Sequence, residues 1–99
     1  MRDWRADFRE MADDLREEDG PEPVARLLEH IGDLGHEQVA QLQAGPWKRD
    51  LEALEYDELT RASAILNRLR DRARDTNRAE YVEGLDRILA TVEAEVRRR

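Results

Sequence analysis

The sequence predicts an all-α protein: a compact five-helix bundle that ends in an antiparallel helical hairpin over about 58–75 and 78–97. Apolar residues recur at three- and four-residue spacing along most of the chain, which is the period of an amphipathic helix. Most proline and glycine residues fall between these periodic stretches. The 99 residues suffice for one core, so we expect residues 1–99 to form a single helical domain.

The first helix is predicted over 2–18, with Asp3 as its N-cap. One apolar stripe runs along it, formed by Trp4, Phe8, Met11 and Leu15. Gly20 is expected to take the left-handed position that closes the helix, and Pro21 prevents its continuation.

The middle of the chain predicts shorter segments. A second helix begins at Glu22 or Pro23 and stops at Gly32, and a third covers 36–44. A short fourth segment begins at Pro46, after a Gly-Pro corner. The residues expected to point inward in these three segments are Val24, Leu27, Leu28, Ile31, Val39, Leu42, Trp47, Leu51 and Leu54.

The clearest pattern lies in the hairpin, where two apolar stripes are joined by a short polar link. The predicted register pairs Ala73 with Val82, Leu69 with Leu85, Leu66 with Leu89, Ala62 with Val92 and Leu59 with Val96. Asp57 is expected to cap the first hairpin helix, and Asn77 with Glu80 has the form of a capping box for the second.

Three larger residues lie beside this predicted seam, namely Ile65, Tyr81 and Ile88. We expect the first three helices to pack on that side of the hairpin. The last residues, 97–99, are expected to be frayed.

Composition restricts the class of protein. The chain has no cysteine and no apolar run of membrane-spanning length, and no signal-like stretch follows its first residues, so we expect a cytoplasmic protein without a membrane partner. Leu, Ile, Val and Phe make up only 21 of 99 residues, while charged residues make up 41%. Such a thin core predicts that some apolar surface is buried against another chain.

Charge is unevenly distributed. Residues 1–60 contain 7 basic and 17 acidic side chains, a net charge of −10, whereas residues 61–99 contain 10 basic and 7 acidic, a net charge of +3. The two parts are expected to attract each other. The acidic part also argues against unassisted, nonspecific binding to nucleic acid.

An arginine cluster is the first candidate site, and it consists of Arg61, Arg68, Arg70, Arg72, Arg74 and Arg78. It is typical either of a site for an acidic partner or a phosphate backbone, or of a solvated helix with ion pairs along it. The interleaved Asp71 and Asp75 favour the second interpretation. The pairs then expected are Arg68–Asp71, Asp71–Arg74 and Asp75–Arg78, with other arginines reaching the acidic first helix.

The large aromatic residues Trp4, Phe8 and Trp47 are the second set of candidates. A thin core uses every large side chain, so core anchoring is the favoured interpretation. The alternative is that Trp4 or Trp47 is partly exposed and anchors a partner, as aromatic residues do at interface hot spots.

Catalytic and metal-binding patterns are weak. Two acidic pairs, Glu52-x-x-Glu55 and Glu83-x-x-Asp86, loosely resemble the motifs of all-helical nucleotide pyrophosphohydrolases. Helical geometry turns Glu83 away from the seam, whereas a metal centre inside a bundle needs its carboxylates inward. A nucleophile with an adjacent base is lacking as well. We therefore predict no catalytic residue, no metal and no cofactor.

The function predicted from the sequence is a non-catalytic protein–protein interaction or assembly module, either a small subunit or an inhibitor of a larger complex. Its partner is another protein chain, which is either a second copy or a different protein. The alternative is a helical subunit of a nucleoprotein complex that contacts the nucleic-acid backbone through the segment 61–78. A magnesium-dependent nucleotide pyrophosphohydrolase is a remote alternative.

Overall fold

The computed structural model describes residues 3–40 and 46–99, and within them the chain forms helices and no strand. The helices are α1 (Trp4–Glu17), α2 (Glu22–Ala40), α3 (Pro46–Ala53), α4 (Tyr56–Asp75) and α5 (Ala79–Arg98). The predicted five-helix bundle is confirmed. The last two helices are the predicted hairpin, displaced by at most about two residues at each end.

The second helix differs from its prediction. Gly32 does not end it: the helical backbone runs on to Leu34, and Gly35, with φ of 79° and ψ of 160°, separates this stretch from a second one that ends at Ala40. The predicted break between the second and third helices is therefore present, three residues later than predicted. Residues 36–40 belong to the predicted third helix and are helical, while residues 41–44, including Leu42, lie outside the described residues. The predicted inward orientation of Val39 is likewise outside what the structure describes.

Gly32 serves packing rather than termination. It is buried where α2 crosses α1, and a Cβ atom added there would lie 2.7 Å from the Cβ of Phe8. Such a distance is well inside van der Waals contact, so a side chain at this position would push the two helices apart. The glycine allows the backbones to approach closely.

The seam of the hairpin is buried as predicted. Its central residues Leu66 and Leu69 on α4 and Leu85 and Leu89 on α5 are 0–2% exposed. An ion pair between Arg70 and Asp86 joins the two helices with 3.4 Å between Nη1 and Oδ1, which agrees with the predicted register. Val82 and Val96, at the two ends of the seam, are only partly buried.

The helices α1, α2 and α3 cover one side of the hairpin. The sequence predicts this for its first three segments, whereas α3 corresponds to the fourth, which begins at Pro46. The edge of the Trp4 ring contacts Tyr81, with 5.5 Å between centroids. Met11 and Leu15 of α1 line a groove beside Ile65 of α4. The resulting core is one cluster to which every helix contributes.

The turn after α1 departs from its prediction by one residue. Asp19, not Gly20, takes the left-handed conformation, with φ of 56°. The Gly20 N–H donates to the Leu15 carbonyl at 2.8 Å and the Asp19 N–H to the Arg16 carbonyl at 3.1 Å, which together form a Schellman motif. Gly20 is required for space, because a Cβ there would lie 2.7 Å from Leu15 Cγ. At the other end of α1 the predicted N-cap is confirmed: Asp3 Oδ1 accepts from the Ala6 N–H at 3.0 Å.

The hairpin turn is a second Schellman motif, and both caps predicted for the hairpin helices are wrong. Asn77 has φ of 57° and closes α4, so it does not begin a capping box for α5, whose N-cap is Arg78. The N-cap of α4 is Glu55 rather than Asp57, and its N–H donates to the Glu58 carboxylate at 2.8 Å.

The predicted fraying of residues 97–99 is wrong for Arg99. Its guanidinium donates to the carbonyls of Leu54 and Glu52, the latter at 2.7 Å, and to the carboxylate of Glu95. Glu95 is 8% exposed, and Arg98 also contacts it at 3.1 Å. Arg99 therefore caps the end of α3 and attaches it to α5.

Candidate interaction surface

The side of the hairpin opposite α1–α3 is not covered by any described element. We call this surface the open face. From α4 it contains Tyr56, Thr60, Ser63, Asn67, Arg70 and Arg74. From α5 it contains Val82, Asp86, Ala90, Glu93, Val96 and Arg97. These residues share a face because they recur at three- and four-residue spacing on two antiparallel helices.

Two shallow grooves lie on the open face, one at each end of the hairpin. The groove at the open end has a volume of about 380 Å³ and is lined by Thr60, Ser63, Glu93, Val96 and Arg97. The groove at the turn end has a volume of about 340 Å³, and its lining consists of Arg74, Asn77, Arg78, Ala79 and Val82. Most of the accessible surface in both grooves is apolar, because short side chains and arginine stems surround the two valines.

A polar bridge separates the two grooves. Arg70 pairs with Asp86 across the helices, and its Nη2 donates to Oδ1 of Asn67 at 2.7 Å. The side chain of Arg70 is 27% exposed and that of Asp86 47% exposed, so both are accessible at the centre of the open face. This places one positive and one negative group side by side between two less polar depressions.

Tyr56 stands at the open end of this face. It is 53% exposed and is the one large hydrophobic residue in the described chain that is exposed. The sequence interpretation overlooked it, although Tyr56, Thr60 and Ser63 follow helical spacing on the flank away from Ile65. Tyrosine combines apolar area with a hydroxyl group and is frequent at protein interfaces.

The predicted arginine cluster divides into paired and unpaired members. Arg61 reaches the acidic first helix as expected, with 3.3 Å to Glu18, and Arg70 binds Asp86. The guanidinium of Arg78 lies 5.3 Å from the centre of the Tyr81 ring. Arg68, Arg72 and Arg74 are exposed and form no ion pair within the described residues. The predicted pairs Arg68–Asp71 and Asp71–Arg74 are therefore wrong, because those side chains extend into solvent instead.

The three large aromatic candidates lie in the core. Phe8 is fully buried, Trp47 is 1% exposed and Trp4 is 3% exposed. The Trp4 indole donates its Nε1–H to the Ile31 carbonyl at 3.1 Å, which ties α1 to α2. The alternative in which Trp4 or Trp47 is partly exposed and anchors a partner is thus wrong, because both rings are buried against the chain's own helices.

Arg16 of α1 joins this helix to two carboxylates of α2. Arg16 binds Glu22 at 2.9 Å and also contacts Glu29. These bonds favour the charged forms, so they raise the pKa of Arg16 and lower the pKa of the Glu22 carboxyl below its ordinary value. Further along, Arg5 binds Asp33 at 3.1 Å. Arginines of α1 are therefore paired with carboxylates of α2.

One buried carboxylate was not foreseen. Asp7 is 2% exposed, and its Oδ2 has no hydrogen-bond partner in the described part of the chain. It stands within the first apolar stripe, next to Phe8, where periodicity alone gives no reason to expect an acid. The described residues around it form no metal-binding group.

Of the two acidic pairs predicted as a remote catalytic motif, the one on α5 is engaged in surface ion pairs. Glu83 binds Arg87 at 3.4 Å, and Asp86 is held by Arg70. Across residues 3–40 and 46–99, no three side chains of His, Cys, Asp or Glu are grouped as a metal site would require. None of the described helices is both long enough and apolar enough to cross a membrane.

Comparison with known proteins yields no match to a family model, a curated protein or a solved structure.

Proposed function

We propose that this chain is a non-catalytic protein-interaction module, a small subunit or inhibitor of a larger assembly, that binds its partner through the open face of the hairpin. The observation that carries the proposal is the contrast between this face and the remaining surface. Seven of its twelve residues are uncharged, whereas 27 of the 34 other exposed positions in the described chain are charged. A lower share of charged residues than on the surrounding surface, together with an exposed tyrosine, is the composition that interfaces favour.

The shape of the open face supports the same conclusion. Its two grooves flank a central ion pair, so the surface offers apolar depressions and a polar group that fixes orientation. A partner helix or hairpin fits such a surface, because ridges of side chains pack into grooves between helices. Tyr56 extends the apolar area beyond the groove at the open end.

The proposal does not depend on a deficient core. The expectation that a thin core needs a partner stays a prediction, and the described helices already bury one continuous cluster of residues. A fold that is complete without its partner is compatible with reversible association. The open face is then a surface that binds a partner, and the fold does not require that surface to be covered.

Site-specific photocrosslinking in the host organism tests the proposal. Benzoylphenylalanine at Tyr56 is expected to give one discrete crosslinked product, and the same probe at Glu17, an exposed position on α1, is expected to give none. Adding Ser63→Arg, which fills the adjacent groove, is expected to abolish the product at position 56. The proposal fails if Tyr56 yields no product, or if both positions yield the same pattern.

A second function has one specific observation in its favour. Arg68, Arg72 and Arg74 are exposed and form no ion pair in the described chain, which leaves them available to a phosphate backbone. Against this, Arg68 lines a groove whose other wall carries Asp14 and Glu18. Those carboxylates repel a phosphate, so the nucleoprotein alternative ranks below protein binding.

A salt series with a labelled oligonucleotide tests this second function. Arg68→Ala with Arg72→Ala is expected to remove a steep salt dependence if the arginines bind phosphates. The matched control is Lys48→Ala with Arg49→Ala, which removes the same charge from α3. Lack of binding at low salt, or equal effects of the two double variants, would exclude the nucleoprotein role for this chain.

A further inference from the structure

We infer that the occupant of the open face is a second copy of this chain. Two hairpins then pack face to face about a two-fold axis parallel to their helices, so that α4 of each lies on α5 of the other. This inference rests on the proposed function, since it assumes that the open face is the binding surface. It adds the identity of the partner and the register of the complex.

The charges at the centre of the face select this arrangement. A two-fold axis parallel to the helices keeps residues at the same height, so Arg70 of one copy meets Asp86 of the other. The two intramolecular pairs then become a square of alternating charges. A two-fold axis across the helices through the same centre would instead bring Asp86 toward Asp86 and Arg70 toward Arg70 of the second copy, which places like charges together.

The ends of the face are complementary in the same register. In this register, Thr60 of one copy lies at the height of Val96 of the other, and Tyr56 lies one turn further, at the height of Arg99. The exposed Tyr56 ring then lies beside the last arginines of the other copy, within reach of a guanidinium for a cation–π contact. Ser63 faces Glu93, whose carboxylate accepts a hydrogen bond from the hydroxyl.

The distribution of charge over the whole chain permits this dimer despite a net charge of −7 per copy. The acidic excess belongs to residues 1–60, whereas residues 61–99 carry +3. Packing through the hairpins places the acidic helices α1 and α2 on the two outer sides, far from each other. Repulsion between the copies is further reduced by salt at that separation.

The available area is sufficient for a weak or moderate dimer. Helices of 20 residues, such as α4 and α5, are about 30 Å long. Two of them, about 10 Å apart, present about 600 Å² per copy. The total of about 1,200 Å² is at the lower end of specific interfaces.

Charge-swap complementation tests the inference. Sedimentation equilibrium of the wild-type chain over about 1 to 300 μM is expected to show association from 11.6 kDa to twice that mass. Arg70→Asp alone makes the central square wholly acidic, and Asp86→Arg alone makes it wholly basic. Each variant by itself is expected to dissociate at a concentration at least about tenfold higher.

Mixing the two variants is the decisive step. In the heterodimer, the aspartate introduced by Arg70→Asp in one chain meets the arginine introduced by Asp86→Arg in the other. The two residues left unchanged, Asp86 of the first chain and Arg70 of the second, also meet, so a 1:1 mixture is expected to recover the mass of a dimer. Each variant keeps its own intramolecular repulsion, so recovery cannot come from refolding within one chain. Far-UV circular dichroism and thermal unfolding verify that both variants are folded.

The outcomes separate the inference from the proposed function. A wild-type chain that is monomeric throughout, but gives a crosslink to a different protein from position 56, overturns the homodimer and keeps the interaction role. A dimer that is insensitive to both charge variants, or a mixture that does not recover, overturns the proposed register. Failure of both experiments removes the open face as a binding surface.

Discussion

The two sides of the hairpin are made from the same two helices and have opposite roles. The covered side presents Ile65, Tyr81 and Ile88, which are at most 9% exposed beneath α1–α3. The open face presents seven uncharged residues, most of them short, around the ion pair of Arg70 with Asp86. The difference teaches that hydrophobic spacing defines the seam of a hairpin, while residue size on each flank decides what is packed there.

The largest expected effect comes from shortening one side chain in the seam, compared with one on the open face. Leu66→Ala is expected to cost about 3 kcal/mol, because the side chain is fully buried and leaves a cavity. Tyr56→Ala, on the open face, is expected to cost about 1 kcal/mol or less, since Tyr56 is 53% exposed. Urea unfolding at low micromolar concentration, followed by circular dichroism, gives both values. Equal losses would show that the open face is as tightly packed as the seam.

Gly32 tests how closely α1 and α2, which cover the hairpin, pack against each other. Gly32→Ala is expected to destabilise the fold by about 1–2 kcal/mol, although alanine favours helices, because its methyl group would overlap Phe8. The control Arg26→Ala, at an exposed position of the same helix, is expected to stay within about 0.5 kcal/mol. A stabilised Gly32→Ala variant would mean that α1 and α2 are not in close contact.

Arg99 tests how α3 is attached to the covered side. Arg99→Ala is expected to cost about 1 kcal/mol, since two carbonyls at the end of α3 and the buried Glu95 lose their donor. Arg97→Ala, two positions earlier, is the matched control and is expected to have little effect on unfolding of the monomer. Faster hydrogen exchange confined to α3 would accompany the Arg99 change. Identical unfolding of both variants would contradict the attachment of α3 to α5 by Arg99.

The smallest expected effect concerns the ion pair between Arg16 and Glu22 on the outer surface of α1 and α2. Arg16 lowers the pKa of Glu22 in the folded chain below its ordinary 4.5. The stabilisation is therefore present above the unfolded pKa and is lost as the pH falls through the folded pKa. Glu22→Gln is expected to lower the urea midpoint slightly at pH 6, and the two proteins should converge toward about pH 3. A constant difference between them across this range would contradict the ion pair.

The sequence predicted the helices, the seam and the covered side because these depend on periodicity. It failed where two local explanations compete for one residue. Gly20 and Gly32 both suit helix ends, but their neighbours Leu15 and Phe8 leave no space for a side chain, so packing explains them instead. Asn77 suits the start of α5 and the end of α4 equally well, and the left-handed turn decides in favour of α4.

Features of the candidate surface were harder to predict for a different reason. Sequence reasoning assigns large aromatics to the core or to an interface without knowing which neighbours lie above them. Trp4 and Trp47 are covered by other helices, while Tyr56 at the start of α4 is not. The contact between Arg99 and Leu54 joins residues far apart in the chain, so no local sequence pattern predicts it.

The turn between α4 and α5 consists of only Thr76, Asn77 and Arg78. Such a short connection loses little entropy on closure, so contacts beside it form before those far from it. We expect the hairpin to zip from this turn, with the ends near Thr60 and Val96 joining last. Those ends then open most often in the native state. A partner that binds between them would slow amide hydrogen exchange there first.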